Sequence, residues 1–151
     1  MKTDNFKSLP LFSMIILALS SFILLSNEKG LIGKSPNLIG ISLDSLKAEH
    51  IILVFIPSCS HCRKAAVRLE KDFEKNGNIT GLTATEYKNE LKEFRDSFNI
   101  TFPVVTVEKP QLRNYFKKIP RYVYVKDSLI INVTDSLLVS PFENQMKSKN
   151  R

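Results

Sequence analysis

His50-Ile51-Ile52-Leu53-Val54-Phe55-Ile56-Pro57-Ser58-Cys59-Ser60-His61-Cys62-Arg63-Lys64-Ala65-Ala66 is the stretch that decides the fold. Ile51 to Ile56 is a continuous apolar, β-branched run, the pattern of a strand buried on both faces. After Cys59, the residues Ala65, Ala66, Leu69 and Phe73 recur on one side at helical spacing. Between strand and helix lie Cys59 and Cys62, the only cysteines of the chain. Two thiols at this spacing on a helix N-terminus can close into a small disulfide ring and reopen. The helix dipole and the unpaired N–H groups of the first turn favour an anionic sulfur at Cys59. That is the chemistry of thiol–disulfide exchange: a thiolate attacks a disulfide, and a second thiol resolves the mixed intermediate.

Working outward, the 151 residues are 43% hydrophobic and 25% charged, which suits one compact domain with an N-terminal extension. The cysteines sit too close together to staple distant parts of a fold, so no disulfide framework is present. The formal charge is +7, with basic residues scattered among acids except in the tail, Lys147, Lys149 and Arg151. Basic residues do not interleave with aromatics, which argues against a nucleic-acid partner. Leu9 to Leu25 is an apolar run led by Lys2 and Lys7, and it reads as a signal peptide or an uncleaved anchor in residues 1–26. No Cys follows it closely, which excludes a lipoprotein anchor. Ala18-Leu19-Ser20 is a poor cleavage site, so the reading leans to an anchor. Either way the cysteine pair is expected across a membrane, where disulfides persist.

Residues 27–35, with Gly30 and Gly33, read as a linker, and 36–151 as the folded domain. Leu38 to Leu46 is expected to add a short edge strand and a turn. Asn76-Gly77-Asn78 stops the first helix, and Ile79 to Ala84 is a second strand. Thr83 and Glu86 fit a capping box for a helix placing Tyr87, Leu91, Phe94 and Phe98 on one face. Phe102 to Val107 is partly extended, and Gln111 to Lys117 is a short helix. Arg121 to Val125 and Leu129 to Val133 flank Lys126-Asp127-Ser128 as a hairpin. Ser140-Pro141-Phe142-Glu143 starts a last helix. Alternating strands and helices predict a three-layer α/β sandwich, and the hairpin makes its central sheet mixed.

With these elements in place, the chain resembles the thioredoxin-like superfamily, and within it the TlpA-, ResA- and DsbE-like membrane-tethered thiol–disulfide proteins. The resemblance spans roughly Pro36 to Lys147. It is carried by Ser42-Leu43-Asp44-Ser45-Leu46-Lys47, by the segment Phe55 to Cys62, and by Thr80-Gly81-Leu82-Thr83-Ala84 with Asn99-Ile100-Thr101-Phe102-Pro103-Val104-Val105. Ile119-Pro120 stands where the superfamily has its cis-proline, beside the cysteine pair and the substrate groove. The resemblance implies Cys59 as nucleophile, Cys62 as resolving thiol, Ser60 and His61 as tuning residues, and Ile119 and Pro120 as groove residues. It implies no cofactor and no metal. The chain departs from the group: it has no Trp, Pro57-Ser58 replaces an aromatic lead, Ala65 stands where several reductants carry a buried Glu, no acid lies in Ile51 to Ile56, and Arg121 follows Pro120 where a small or hydroxylated residue is common.

The function expected is disulfide exchange with exported proteins, in the direction of reduction. The expected protein is a monomer in the bacterial cell envelope, anchored in the inner membrane facing the periplasm or secreted to the periplasm. Its expected partners are exported proteins with thiols or disulfides, a thiol electron partner in the membrane or soluble, and the membrane itself through the N-terminal segment. Two rivals stand beside it. Strongly oxidising members of the superfamily also carry His before the second Cys, so His61 favours a disulfide-forming oxidant. Cys59, Cys62 and His61 also offer soft ligands, as a copper carrier would, although His50 and Met146 are not obvious third ligands. His50 itself reads as a surface residue. Phe98, Phe102, Tyr87 and Phe94 read as core, and Arg121 as a solvated side chain.

Overall fold

The computed structural model describes residues 28–138. The N-terminal segment 1–26, the helix start at Ser140 and the basic tail lie outside the described residues. Among the described residues five strands form one sheet in the order β3-β2-β1-β4-β5: β1 (Glu49–Val54), β2 (Ile79–Ala84), β3 (Val104–Val107), β4 (Arg121–Lys126) and β5 (Leu129–Thr134). β1 pairs parallel with β2, and β2 with β3, while β4 runs antiparallel to both β1 and β5. The sheet is therefore mixed, as the alternation of elements followed by a hairpin requires. The hairpin turn is Asp127-Ser128, both at positive φ (49° and 67°), the backbone that a tight two-residue connection needs.

Among the described residues three helices cover the sheet: α1 (Ser60–Asn76), α2 (Lys88–Phe98) and α3 (Lys109–Tyr115). α1 ends at Gly77, whose φ of 60° lets its N–H return to the Phe73 carbonyl. Because strand side chains alternate, the sheet builds a core on each face. Leu53, Phe55 and Ile79 pack against Cys62, Ala66 and Leu69 of α1 and Leu91 and Phe94 of α2. Ile52, Val54 and Leu82 pack against Leu112 of α3 and the turns before β1. Gly81 is required on the α1 face: a Cβ there would sit 2.9 Å from the Phe55 ring and 3.0 Å from Val104.

Four local expectations are corrected. Leu38 to Leu46 holds no strand; it forms two 3-10 turns, Pro36–Ile39 and Leu43–Ser45. Residues 28–35 are packed rather than linking: Leu31 is 1% exposed, and Gly33 and Lys34 pair with Ile130 at the start of β5. The Thr83–Glu86 box does not form. Thr83 is buried within β2 with its Oγ1 unpartnered among the described residues, and Glu86 pairs with Lys109. Phe98 lies 38% exposed at the rim, its ring tilted against Phe94. Among the described residues, no helix is long and apolar enough to cross a membrane.

Candidate active site

The C-terminal edge of the parallel strands carries the site. β1 ends at Val54, the chain turns through Pro57-Ser58, and α1 begins at Ser60. Cys59 is the N-cap of α1, in an extended conformation that leaves its side chain over the first turn. Its Sγ accepts from the Cys62 N–H at 3.4 Å, a bond that an N-cap oxygen would otherwise make. Both cysteines are free thiols; Cys59 is half-buried, and Cys62 is buried on the α1 face of the core.

Their surroundings drive the two thiols apart. At Cys59 burial pushes the pKa up. Hydrogen bonds from the Cys62 thiol and from the Cys62 and His61 N–H groups, with the Arg63 charge, outweigh it and hold the thiol below its ordinary range. Cys62 is pushed up to about 12, first by burial and then by its hydrogen bond to Cys59 and the nearby Cys59 charge. The half-exposed sulfur is thus the more acidic of the two, and the other is kept protonated beneath it.

The sequence-predicted residues assemble unequally. The Ile119–Pro120 peptide is cis. Ile119 packs against the cluster that contains Cys62, and Ile119 and Pro120 line a groove of about 450 Å³ with His61, Ala65, Arg68 and Tyr122. His61 is exposed, and its ring makes no hydrogen bond among the described residues; its backbone N–H is what reaches Cys59. Ser60 is exposed and lines a neighbouring groove. Ala65 is buried and presents a methyl group, not a carboxylate, to the groove.

Two contributors, Arg63 and Glu70, escaped the sequence reading, and a third, Arg121, corrects it. Arg63 faces Cys59 electrostatically while its Nε donates to the Pro57 carbonyl at 2.9 Å and its guanidinium lies over the Phe98 ring. A cation one turn after an N-cap thiol is the signal that could have found it. Arg121 is not solvated: its Nε donates to both carboxylate oxygens of Glu28, at 3.1 and 3.0 Å, and it also donates to the Pro120 carbonyl. Glu70 is buried on α1, where its carboxylate accepts from the Thr101 and Phe102 N–H groups and the Thr101 hydroxyl. It fixes the loop that leads into β3.

His50 lies at the opposite end of β1 and is buried. Its Nδ1 accepts from the Lys47 N–H, and its Nε2 meets Thr80 Oγ1 at 2.9 Å. Among the described residues no cluster of three His, Cys, Asp or Glu side chains converges.

Solved structures supply the comparison. The thioredoxin domain of a thiol-disulfide oxidoreductase from Bacteroides vulgatus matches with a TM-score of 0.55 at 16% identity, over 74% of this chain and 86% of that one. A thiol:disulfide interchange protein of the thioredoxin family from Chlorobium tepidum matches at 0.53 and 20% identity, over 72% and 84%. A secreted Mycobacterium tuberculosis disulfide oxidoreductase homologous to E. coli DsbE matches at 0.53 and 12% identity, over 70% and 82%. The chain has the thioredoxin fold. In the thioredoxin fold of this chain, the helix carrying Cys59 and Cys62 follows the central strand, and the cis Ile119–Pro120 leads into β4. No family model and no curated protein matches the sequence.

Proposed function

We propose that this chain is a thiol–disulfide oxidoreductase that reduces disulfides of exported proteins. The observation that carries the reading is the split between the two thiols: Cys59 is held low and half-exposed at a helix N-cap, and Cys62 is held at about 12 beneath it. The Cys59 thiolate attacks one sulfur of a substrate disulfide; a Cys59–substrate disulfide forms, and the other substrate sulfur leaves as a thiolate. Cys62 then gives up its proton and attacks Cys59. The substrate's second thiol is released, and the Cys59–Cys62 disulfide remains. Two electrons pass to the substrate, and a dithiol donor returns them. Bonding to Cys59 removes the anion beside Cys62, so the high pKa of the resolving thiol falls when it is needed.

Ile119 and Pro120 form one wall along which an extended substrate segment lies, His61 forms the other lip, and Ser60 tunes Cys59 from the groove beside it. Residues 1–26 deliver the domain across the membrane, as an anchor or a cleaved signal, into the bacterial envelope. Residues 28–138, with the tail that follows, work there as a monomeric domain. The thioredoxin fold and the names of its structural neighbours support the redox class.

The oxidant reading draws on the same thiolate, since a stabilised Cys59 anion makes the disulfide a stronger oxidant. Equilibrating the full chain in thiol redox buffers decides the direction. A potential near that of thioredoxin, about −270 mV, is expected. A value near that of DsbA, about −120 mV, would make the chain an oxidant. Failure to cycle, with stoichiometric copper held against a chelator, would transfer the site to the carrier reading.

A further inference from the structure

α1 leaves the cysteine pair with an unusual outer face. Arg63, Lys64, Arg68 and Lys71 are all exposed along it. The last three form no ion pair among the described residues, and Arg63 is occupied only by the Pro57 carbonyl and the Phe98 ring. Two grooves share Lys64 and Arg68 as their common wall. One runs from His61 to Pro120 and adds Lys118; the other runs from Ser60 past Val67 to Lys71 and Phe98. The acids nearby are Asp135, which lines the first groove, Asp72 and Glu74, which follow Lys71 on α1, and Glu90 and Glu93, which line a pocket with Arg63 and Phe98. Arg121 adds no free charge, because Glu28 neutralises it.

We propose, resting on the exchange reading above, that the partner is an acidic polypeptide whose cysteine is followed or preceded closely by Asp or Glu. The spacing sets how closely. At 1.5 Å per helical residue, Ser60 to Lys71 spans about 16 Å. An extended chain covers that in roughly five residues at 3.3 Å each. Acidic side chains within about five positions of the reacting cysteine, on one side of it, therefore meet the ridge. The apolar floor of Val67 and the Phe98 ring receives the intervening side chain. A flat anionic membrane is a poorer occupant, because it would cover Ser60 and His61 and close the approach to Cys59.

The test uses the full chain, reduced with dithiothreitol and freed of it. Its substrates are three synthetic peptides whose single cysteine is activated as a 2-thiopyridyl disulfide. They differ only in flanks: Asp and Glu, Asn and Gln, or Lys and Arg. Cys59 displaces thiopyridone, whose release gives the rate, and Cys62 then frees the peptide thiol. At low salt the acidic peptide is expected to react about tenfold faster than the neutral one, and the basic one slowest. Raising ionic strength shortens the screening length below about 10 Å and should collapse the spread. In Arg68→Glu/Lys71→Glu, or the milder Arg68→Gln/Lys71→Gln, the ratio of acidic to neutral rates should fall to one or below. Equal rates for the three peptides in the unaltered chain overturn the acidic partner and leave the exchange reading standing. Silence with all three overturns both. Suppression of the acidic-peptide rate by phosphatidylglycerol vesicles, but not by phosphatidylcholine vesicles, assigns the ridge to a membrane and overturns the proposal.

Discussion

The two ends of β1 place polar groups in opposite circumstances. At its start His50 is buried, with both ring nitrogens engaged by Thr80 and Lys47. At its far end Cys59 is half-exposed and engaged only through the weak sulfur bonds of its own helix turn. Burial is the largest single influence at both sites, yet the net results differ. It drives the His50 pKa down to about 4 and keeps the ring neutral. At Cys59 it is overcome by helix N–H groups and Arg63, and the charged form is favoured. A polar group with every valence met inside the fold is structural. One whose charge is stabilised while its surface stays open is available for chemistry.

The largest test of that contrast concerns the sulfurs. Cys59→Ser should reduce disulfide exchange by roughly a thousandfold or more, while Cys62→Ser should accumulate mixed disulfides with its substrates. Alkylation of the reduced chain against pH should show one thiol titrating below the ordinary range and a second unreactive until strongly alkaline pH. Removing Cys59 should lower the Cys62 pKa from about 12 while burial still holds it above an ordinary thiol. Two thiols titrating together would break the contrast.

Next in size is Leu31, which belongs to the segment that touches both ends. Glu28 reaches Arg121 beside the cysteines, and Gly33 and Lys34 meet Ile130 at the His50 end. Leu31→Ala should cost about 2–5 kcal/mol in chemical unfolding, as buried leucine truncations do. A change within about 0.5 kcal/mol would return the segment to the status of a linker. The sequence concealed this. A lone Leu31-Ile32 between Gly30 and Gly33 has no periodicity to read, whereas α1 and β2 repeat their apolar spacing over several turns or residues. The cysteine pair was legible because strand, thiols and helix are contiguous. His50 reads as a surface residue only if the strand begins at Ile51; β1 begins at Glu49, which brings His50 into the strand with its side chain turned inward. Glu70 was hidden in a polar helix face; it lies one turn after the buried Ala66, at the edge of the apolar stripe.

A third measurement isolates His50. Its folded pKa, about 4, lies below the ordinary 6.5, so the unfolded chain takes up the proton first as pH falls. The stabilisation is complete above pH 6.5 and is lost as pH falls from there toward 4. By about pH 5 the loss should be on the order of 2 kcal/mol, read from urea midpoints. His50→Gln should be less stable at neutral pH, because the Lys47 N–H loses its acceptor, and should show a flatter slope in this window. An unchanged slope in the variant would place the titration elsewhere.

The smallest effect compares the two ends of β4, the neighbour of β1. Arg121 opens the strand and pairs with Glu28, their side chains 11% and 28% exposed. Lys126 closes it and pairs with Glu49 across the sheet, at 28% and 46%. The Arg pair accepts fewer water contacts, and its guanidinium is also held by the Pro120 carbonyl at 3.2 Å. A double-mutant cycle with Arg121→Gln and Glu28→Gln should therefore give a coupling of roughly 0.5–1 kcal/mol. The same cycle on Lys126 and Glu49 should give no coupling that survives physiological salt. If the two couplings were equal, the ion pair beside the cysteines would be one more surface contact. If they differ as expected, Glu28 both anchors the N-terminal segment and removes the Arg121 charge from the groove floor, leaving Lys64, Arg68 and Lys118 to meet an incoming chain.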